Sequence, residues 1–498
     1  MSGPFGSTAW MANPSTGGFY GFEISNSLRL RDTGHLTHTN SSDSASRQKF
    51  TFATWLKINS LSTAHHQLFD ATNNYGRIYF TADDNGGNTV RVLMGDGSSN
   101  GNLVTTRKFR DTSSWFHLVV AVDTTEGTAG DRIKIYINGV RETSFAAETD
   151  VNQNVITRVG GTALELIGAQ AGPDTYFKGY LAETHYIVNA QLTPSSFGET
   201  KNDIWIPKDT AGLTYGTNGY RLQYKQTGTS ADSSGIGADT SGNDNHWTPV
   251  NLVASDVVPD SPTNNWCVMN NLEARASYGM PTLSAGNLKY SNAGISTSWG
   301  FRTTSFELTS GKWWGECRVS GNKSAMVGIF NTGAGTGLSL FGTQNPMNNT
   351  GSFQIFMDGA TSTKFRTGST DVATSFEDFN DGDVVGLALD VDNETCKWYV
   401  NGSIQSNIGT KDVSISGNAK RYVMTAGMSD STASTFVWNF GQDSTFDGAE
   451  TAAANQDENG LGNFHHAVPS GYLSICSANL PAPVATIDPA KGGSPQDY

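Results

Sequence analysis

The stretch Ile133-Lys-Ile-Tyr-Ile-Asn138-Gly139 occurs a second time, in changed form, as Cys396-Lys-Trp-Tyr-Val-Asn401-Gly402. In both copies apolar and polar residues alternate, which is the two-residue period of a β-strand with one buried face. Asn-Gly follows directly, and because both residues tolerate a positive φ, the pair predicts a tight hairpin turn. The two stretches therefore predict the same strand-and-turn module in each half of the chain.

Each copy of the module is preceded by a further apolar run that ends in aspartate, Leu118-Val-Val-Ala-Val-Asp123 and Val384-Val-Gly-Leu-Ala-Leu-Asp390. Successive strand residues point to opposite faces of a sheet, so the alternation assigns each side chain to one face. The predicted inward set is Ile133, Ile135, Ile137, Cys396, Trp398 and Val400. The predicted outward set is Lys134, Tyr136, Lys397 and Tyr399. Four tryptophans in similar patterns are predicted to be core residues: Trp55, Trp115, Trp314 and Trp398.

The composition extends this interpretation to the whole chain. A length of 498 residues suggests about three structural units. The 37% of hydrophobic residues suffices for packed cores, and the 56 glycines indicate many turns between short strands. Because heptads and long Leu/Ala/Glu/Lys stretches are missing from the sequence, we predict an all-β protein.

The charge and the N-terminal sequence narrow the set of partners. A formal net charge of −14 opposes binding to nucleic acid or to anionic lipid. We therefore expect no nucleic-acid partner. We also expect no membrane insertion, since the first residues are small and polar and no long apolar run follows. The cysteines Cys267, Cys317, Cys396 and Cys476 match neither a metal motif nor a compact disulfide framework. They are predicted to be reduced, with Cys396 as a buried thiol beside Trp398.

The first half of the chain resembles the laminin-G or concanavalin-like family, over roughly residues 19 to 200. The motifs that carry this resemblance are Phe52-Ala-Thr-Trp55-Leu-Lys, Trp115-Phe-His-Leu-Val-Val-Ala-Val-Asp, Ile135-Tyr-Ile-Asn-Gly, Phe177-Lys-Gly179-Tyr-Leu-Ala-Glu183-Thr-His-Tyr and Gln191-Leu-Thr-Pro. The second half resembles a SPRY domain, over about residues 270 to 445. Its motifs are Gly311-Lys-Trp-Trp314-Gly-Glu316, Met326-Val-Gly328-Ile, Gly382-Asp-Val-Val-Gly-Leu-Ala-Leu-Asp390-Val-Asp392, Trp398-Tyr-Val-Asn-Gly and Trp438-Asn-Phe-Gly-Gln442.

These resemblances imply an all-β fold of two concanavalin-like jelly-roll β-sandwiches in tandem with a connector. The expected units are a laminin-G/concanavalin-like sandwich at 1–200, a connector or small hairpin-rich subdomain at 201–270, a SPRY-like sandwich at 271–445 and a C-terminal extension at 446–498. The connector is marked by several prolines and by the run Thr227-Gly-Thr-Ser-Ala-Asp-Ser-Ser-Gly. The extension is rich in Ala, Gly, Pro and Ser, and we expect it to cover a surface rather than to form another core.

The pairing of the two modules is similar to virion proteins of tailed bacteriophages. That similarity implies a fibre or spike component, made in the host cytoplasm, which contacts other virion proteins, forms a homo-oligomer and recognises a host-surface glycan. One alternative is a head or tail decoration protein that contacts only other virion subunits. Another is a depolymerase that cleaves glycans, since sandwiches of this kind also carry glycoside hydrolases. Fold alone does not decide among these functions.

The candidate contact residues lie in polar segments between predicted strands of the first sandwich: Asn73, Asn74, Tyr75, Asp83 and Asp84. A tyrosine ring can stack on the face of a sugar, while amides and carboxylates bond its hydroxyl groups. The segments Asp83-Asp84-Asn85 and Asp96-Gly-Ser-Ser-Asn100 also supply oxygens of the kind that calcium prefers. They contain no complete ligand set, so we expect no cofactor and keep calcium as the open alternative.

Catalysis by a pair of carboxylates is the remaining possibility. Glycoside hydrolases place two acidic residues across the bond that is cleaved, and Asp390, Asp392 and Glu394 alternate along the chain. These residues lie between two predicted strands in a run with turn composition, which favours a solvated turn. No nucleophile, zinc, phosphate-loop or dinucleotide motif occurs in a suitable context. We therefore expect a protein that is not an enzyme.

Overall fold

A computed structural model gives the conformation of most of the chain. It describes residues 19–60, 64–71, 75–82, 84–172, 175–272, 280–291, 300–321, 325–333, 351–357, 363–368, 370–374, 379–428 and 434–480. The described residues form strands joined by turns, with a few short 3-10 helices. None of their helices is long and apolar enough to cross a membrane.

The first eighteen strands lie before residue 260. They are β1 (Ser27–Leu30), β2 (His35–Thr39), β3 (Lys49–Ile58), β4 (His66–Asp70), β5 (Gly76–Phe80), β6 (Val90–Gly95), β7 (Asn100–Thr105), β8 (Phe116–Asp123), β9 (Ile133–Ile137), β10 (Val140–Arg141), β11 (Phe145–Thr149), β12 (Leu164–Ile167), β13 (Gly179–Val188), β14 (Gly198–Lys201), β15 (Ile204–Pro207), β16 (Tyr220–Leu222), β17 (Thr248–Val250) and β18 (Val257–Val258).

The remaining strands follow after residue 280. They are β19 (Thr282–Ser284), β20 (Lys289–Ser291), β21 (Gly300–Thr303), β22 (Lys312–Ser320), β23 (Ala325–Asn331), β24 (Ser352–Met357), β25 (Thr363–Thr367), β26 (Thr370–Thr374), β27 (Val384–Asp390), β28 (Thr395–Val400), β29 (Ser403–Ile404), β30 (Lys411–Asp412), β31 (Tyr422–Met428), β32 (Thr435–Asn439) and β33 (Leu473–Ser474). Short 3-10 helices occur at Asp84–Gly86, Ala129–Asp131, Pro194–Ser196, Ala254–Asp256, Ala285–Asn287 and Ser477–Asn479.

The first eighteen strands, apart from the hairpin β14–β15, form two antiparallel sheets. The order of one sheet is β10-β9-β8-β3-β13-β1-β18, with β16 also paired to β13, and the order of the other is β11-β7-β6-β5-β4-β12-β2-β17. Side chains from both sheets meet in one apolar core, to which β3 contributes Phe50 and Phe52 and β5 contributes Ile78. This arrangement is a β-sandwich, in which the inner faces of two sheets form the core.

The second sandwich has the same construction. One sheet has the order β19-β20-β32-β22-β27-β28-β29, with β30 beside β28 and β33 beside β22, and the other has the order β21-β31-β23-β24-β25-β26. Trp313, Trp398 and Trp438 lie in the core between them. The chain therefore buries two separate large cores, as its duplicated module predicts.

The duplicated module forms the predicted hairpin in both sandwiches. The turn Asn138-Gly139 joins β9 to β10 and Asn401-Gly402 joins β28 to β29, with positive φ at all four residues. All six residues of the predicted inward set are buried, and the four of the outward set are partly exposed, which confirms both assignments. All four cysteines are buried free thiols, and Cys396 lies in the second core with Trp398, as predicted.

Three of the four tryptophans that were predicted as core residues are buried outside the two main cores. Trp55 and Trp115 pack with Tyr180 on the outer face of the first sandwich. Trp314 packs with Phe464 and Tyr472 on the outer face of the second. Of the four, Trp398 alone lies between two sheets. Alternation identifies these residues as buried, but it does not reveal that the outer face of a sheet is also covered by later parts of the chain.

The segment 201–270 was expected to be a connector or a small subdomain. In the structure, β16 pairs with β13, β17 with β2 and β18 with β1, so this segment extends both sheets of the first sandwich. The C-terminal segment contributes β33, which runs parallel to β22 beside the second sandwich. Its residues Phe464 and Tyr472 cover Trp314. The described part of this segment thus covers a surface of the second sandwich.

Buried polar contacts join the two sandwiches. The Lys57 ammonium of β3 contacts the Asp260 carboxylate and also donates to Asn265 Oδ1 at 3.0 Å, with the lysine and the aspartate fully buried. The indole of Trp115 donates to the other Asp260 oxygen at 2.9 Å. Because residues 260–267 lead directly into the second core, these contacts hold the start of one sandwich against β3 of the other.

A second group of ion pairs involves one arginine in β1 and another directly after it. Arg29 donates to Asp443 Oδ2 at 2.7 Å, with both side chains almost fully buried. Arg31 lies 2.8 Å from Asp447, and Asp447 also accepts from Lys289 at 2.7 Å. The arginines belong to the first sandwich, whereas Asp443 and Asp447 follow β32 of the second. Breaking such a pair leaves an uncompensated buried charge, so the two sandwiches are coupled.

Candidate functional site

Tyr75 lies at one end of the first sandwich, directly before β5. Its carbonyl oxygen accepts the N–H of Gly95 at 2.8 Å, which ties it to the end of β6. The ring lies over Gly97, whose φ is 101°, and a Cβ added at Gly97 would be only 3.2 Å from a ring carbon. Glycine at position 97 therefore allows the close approach that holds this ring in place.

The turn beneath the ring, Asp96–Asn100, is organised by its own polar groups. The Asp96 carboxylate accepts the N–H groups of Ser98 at 2.7 Å and Ser99 at 2.8 Å, and these hydrogen bonds lower its pKa. Arg158 donates to the Asp96 carbonyl oxygen at 2.9 Å. We call Tyr75, Asp96–Asn100 and Arg158 the Tyr75 rim. It combines a half-buried ring with an ordered polar turn and an exposed guanidinium.

The structure does not bring all the predicted contact residues together. Asn73, Asn74 and Asp83 lie outside the described residues. Asp84 follows β5 whereas Tyr75 precedes it, so the five-residue strand separates them by roughly 17 Å. The Asp84 carboxylate is 3.0 Å from Arg91 at the start of β6. Tyr75 and Asp84 therefore lie at opposite ends of the sheet and cannot contact the same sugar ring.

Arg91 and Tyr79, which lie near Asp84, were not among the predicted contact residues. The Arg91 guanidinium lies over the Tyr79 ring, 5.8 Å from its centroid, and donates to Asn102 Oδ1 at 2.8 Å. Tyr79 is only 7% exposed, and burial raises its pKa. The alternation in β5 and β6 points both residues away from the core and would have identified them.

The described residues at the two ends of the sheet do not form a cluster of metal ligands. Asp84 is paired with Arg91, and Asp96 accepts the backbone groups of its own turn. No group of three or more His, Cys, Asp or Glu side chains in the described ranges is placed to hold a metal ion. The expectation that no cofactor is bound, with calcium as the alternative, stays a prediction.

The acidic run of the second sandwich maintains the turn between β27 and β28. Asp390 is 3.3 Å from the Lys312 ammonium and accepts the N–H of Asn393 at 3.0 Å. Asp392 accepts the N–H of Gly311 at 3.0 Å. Glu394 accepts the hydroxyl of Tyr422 at 3.0 Å. Each carboxylate thus has a structural contact in or beside the turn, although Asp390 is buried rather than solvated.

Two other carboxyl groups have strongly raised pKa values. Burial raises the pKa of Glu165 in the first sandwich to about 7, and its Oε1 accepts the N–H of Gly160 at 2.7 Å. Burial raises the pKa of Glu316 in the second sandwich to about 7, although the backbone N–H groups of His465 and His466 donate to it. Raised pKa values often mark catalytic acids. These two groups are at most 2% exposed, so no substrate reaches them.

Sequence comparison finds one family model that is similar to part of the chain. Residues 30–196 match the family model described as the Concanavalin A-like lectin/glucanases superfamily. This range agrees with the first predicted sandwich and ends within the 3-10 helix before β14. No curated protein matches the chain.

Solved structures with similar parts include three from different sources. The SPRY domain of human HERC1 is 16% identical over 30% of this chain and 87% of that chain, with a TM-score of 0.24. A putative carbohydrate binding protein from Bacteroides ovatus is 12% identical over 47% of this chain and 60% of that chain, with a TM-score of 0.34. The third structure is Domain 4 of AbnA, a GH43 extracellular arabinanase from Geobacillus stearothermophilus, in complex with arabinotriose. It is 24% identical over 35% of this chain and 76% of that chain, with a TM-score of 0.26.

At these TM-scores the solved structures carry no inference about ligand or activity. The family match covers most of the first sandwich, up to residue 196, and the sheet orders describe both sandwiches directly. The chain is an all-β protein of two β-sandwiches in tandem, and the concanavalin-like family match lies in the first of them.

Proposed function

We propose that the protein is a fibre or spike component of a tailed-bacteriophage particle and that its first sandwich binds a glycan on the host surface. The pairing of a laminin-G-like with a SPRY-like module, which resembles virion proteins of such phages, supports the particle assignment. The lectin-type fold of residues 30–196 is compatible with glycan recognition. Buried ion pairs between the sandwiches suit a rigid module that presents a binding surface away from a particle.

The observation that carries the glycan proposal is the Tyr75 rim. A ring that is already held against Gly97 loses little conformational freedom when a sugar stacks on it. Asp96, Asn100 and Arg158 supply polar groups beside the ring, at the end of a rigid scaffold where loops commonly carry function. A single contact of this kind is weak, and several copies on one particle would bind together by avidity.

We also propose that the protein binds without catalysing a reaction. The structural contacts of Asp390, Asp392 and Glu394 support this proposal, because each carboxylate forms an ion pair or a hydrogen bond in or beside the turn. The variant Asp390→Asn/Asp392→Asn should show the same absence of glycan release as the unmodified protein. Release of reducing sugar by the unmodified protein that disappears in this variant would show that the protein is a depolymerase.

A decoration protein that contacts only virion subunits is the second candidate. Val140 is 62% exposed and Ile404 is 44% exposed, and each follows one of the two Asn-Gly turns on a short edge strand. Exposed edge strands with apolar side chains are ready to pair with another chain. This observation favours a protein partner or a homo-oligomer at the β10 and β29 edges.

Imaging separates the two candidates. Gold-labelled antibody against the protein should mark the tail fibres or spikes of intact particles if the first proposal is correct. Labelling of the head, or of the tail tube alone, would favour the decoration protein.

A cell-binding assay then tests the rim. It should use the full chain, because β16, β17 and β18 lie beyond residue 200 and belong to the first sandwich. Tyr75→Ala should weaken binding to host cells about five- to tenfold per site through loss of the stacking ring. Tyr75→Phe keeps the ring and is the matched control, which should bind as the unmodified chain does. Equal binding by Tyr75→Ala would show that the rim is not the contact.

A further inference from the structure

A concave surface lies where the sandwiches and the C-terminal segment meet. Its cavity has a volume of about 520 Å³, within the range of small-molecule binding sites, roughly 300 to 1,000 Å³. One wall consists of residues from 23–25 and 259–266, and the other consists of residues from 456–463 and 478–479. We call this surface the junction cleft. It lies outside the Tyr75 rim, and none of the rim residues lines it.

Hydrogen bonds fix the first wall. The Thr263 hydroxyl accepts the N–H of Ile24 at 3.0 Å and donates to the Ile24 carbonyl oxygen at 2.9 Å. The Asn264 side-chain oxygen accepts the N–H of Ala478 at 3.0 Å, which joins this wall to the opposite one. The cleft is thus formed before any ligand arrives.

Asp457 shapes the second wall. One of its carboxylate oxygens accepts the N–H groups of Asn459 at 3.0 Å and Leu461 at 2.9 Å. The other oxygen accepts from Ser474 Oγ at 2.6 Å and from the Asn479 amide at 2.7 Å. A buried carboxylate that accepts this many hydrogen bonds holds the loop 457–461 in one conformation, as a preorganised site requires.

Several polar groups in the cleft remain available for a ligand. The side chains of Gln456 and Asn463 make no hydrogen bond to the part of the chain that the structure describes. Glu23 contributes an exposed carboxylate at the edge. Trp266 lies beneath, 1% exposed, with its indole bonded to the Pro259 carbonyl oxygen at 3.0 Å, so it serves as a floor.

The charge of the cleft restricts the ligand. Among the described residues that line it there is no lysine or arginine, and Glu23 is the ionisable group. The whole chain carries a formal net charge of −14. Phosphates, sulfates and acidic sugars are therefore disfavoured, whereas a ligand rich in neutral hydroxyl groups is not.

We propose that the junction cleft binds a neutral oligosaccharide. Each side-chain amide offers both a donor and an acceptor, which matches a sugar hydroxyl that must do the same. Gln456 and Asn463 place such groups on the second wall, and the Glu23 carboxylate on the first wall accepts from further hydroxyls. The cleft is separate from the Tyr75 rim, so its ligand binding does not depend on the glycan site proposed above.

Saturation-transfer NMR with the full chain tests this proposal. The probes are the neutral trisaccharides maltotriose, cellotriose, mannotriose, galactotriose and chitotriose, with sialyllactose as an anionic comparison. At least one neutral trisaccharide should receive saturation. Its Kd should rise about 10- to 30-fold in Gln456→Ala/Asn463→Ala, because two neutral hydrogen bonds are lost.

Two variants distinguish the junction cleft from the rest of the protein surface. Asn418→Ala removes an exposed amide outside the cleft and should leave the affinity unchanged. Tyr75→Ala should also leave it unchanged, and a loss there would assign the binding to the Tyr75 rim instead. No saturation of any of the five neutral probes, or equal affinity in the double variant with an unchanged circular dichroism spectrum, would overturn the proposal. So would binding of sialyllactose alone.

Discussion

The buried carboxyl group of Glu165 makes the stability of the first sandwich dependent on pH. Its pKa rises from an ordinary value of 4.5 to about 7 in the folded chain, because burial disfavours the charged form. Between these two pH values the folded chain holds a proton that the unfolded chain has released. The free energy of unfolding must therefore fall as the pH rises from 4.5 to 7. At about 1.4 kcal/mol for each pH unit, the full loss is about 3 kcal/mol.

The variant Glu165→Gln tests this reasoning. Glutamine keeps an oxygen that can accept the N–H of Gly160, and it does not titrate. We expect the variant to match the unmodified protein near pH 4.5 and to be about 3 kcal/mol more stable above pH 7. Urea unfolding at pH 4.5, 6 and 8 measures the difference at each pH. Glu199→Gln, at an exposed carboxylate, is the control and should change stability by less than about 0.5 kcal/mol. An equal effect of Glu165→Gln at all three pH values would refute the reasoning.

Three further predictions concern the packing of the chain. Lys57→Met should lower the free energy of unfolding by about 3–5 kcal/mol in urea denaturation, because it leaves the buried Asp260 carboxylate unpaired. Lys49→Met removes a partly exposed ion pair with Asp123 and should lower the free energy of unfolding by about 1 kcal/mol or less. Equal losses in the two variants would contradict the proposed contribution of the buried Lys57–Asp260 contact. The four buried cysteines should react with a thiol reagent only after unfolding, so rapid labelling of Cys396 in the native protein would disprove its burial. Gly97→Ala should displace the Tyr75 ring and lower glycan binding about as much as Tyr75→Ala does, and unchanged binding would show that the ring position is unimportant.

Local sequence patterns predicted the sandwich fold, because a few neighbouring residues determine which strand face is buried and where the chain turns. The alternation from Ile133 to Ile137 determines which faces are buried, and Asn138-Gly139 determines the turn. The same holds for the second copy of the module, where Cys396 and Trp398 face the core. The all-β class followed from these patterns and from the composition of the chain, and the two cores followed from the duplicated module.

Long-range pairing could not be predicted in this way. Strands β16, β17 and β18 are two or three residues long, and their partners precede them by 30 to more than 200 residues. Nothing in such short segments indicates which sheet edge they join. The ion pair between Arg29 and Asp443 could not be predicted for the same reason, since these residues are 414 positions apart.

The candidate site was predicted only in part. Tyr75 was identified from turn composition, but the glycine that supports its ring, Gly97, belongs to a different turn. Asp84 was grouped with Tyr75 because the two are close in sequence, although a strand places them at opposite ends of the sheet. The junction cleft was missed because Asn264 and Asn463 come together only when both sandwiches and the C-terminal segment are assembled.

Binding of the full chain to purified surface polysaccharide of the host cell tests glycan recognition by the first sandwich most directly. Biolayer interferometry with immobilised polysaccharide should give saturable binding that weakens about five- to tenfold in Tyr75→Ala and persists in Tyr75→Phe. The Gln456→Ala/Asn463→Ala variant, measured beside them, reports on the junction cleft separately. Absence of binding by the folded, unmodified chain, or binding that is the same in Tyr75→Ala, would contradict the proposed role of the Tyr75 rim.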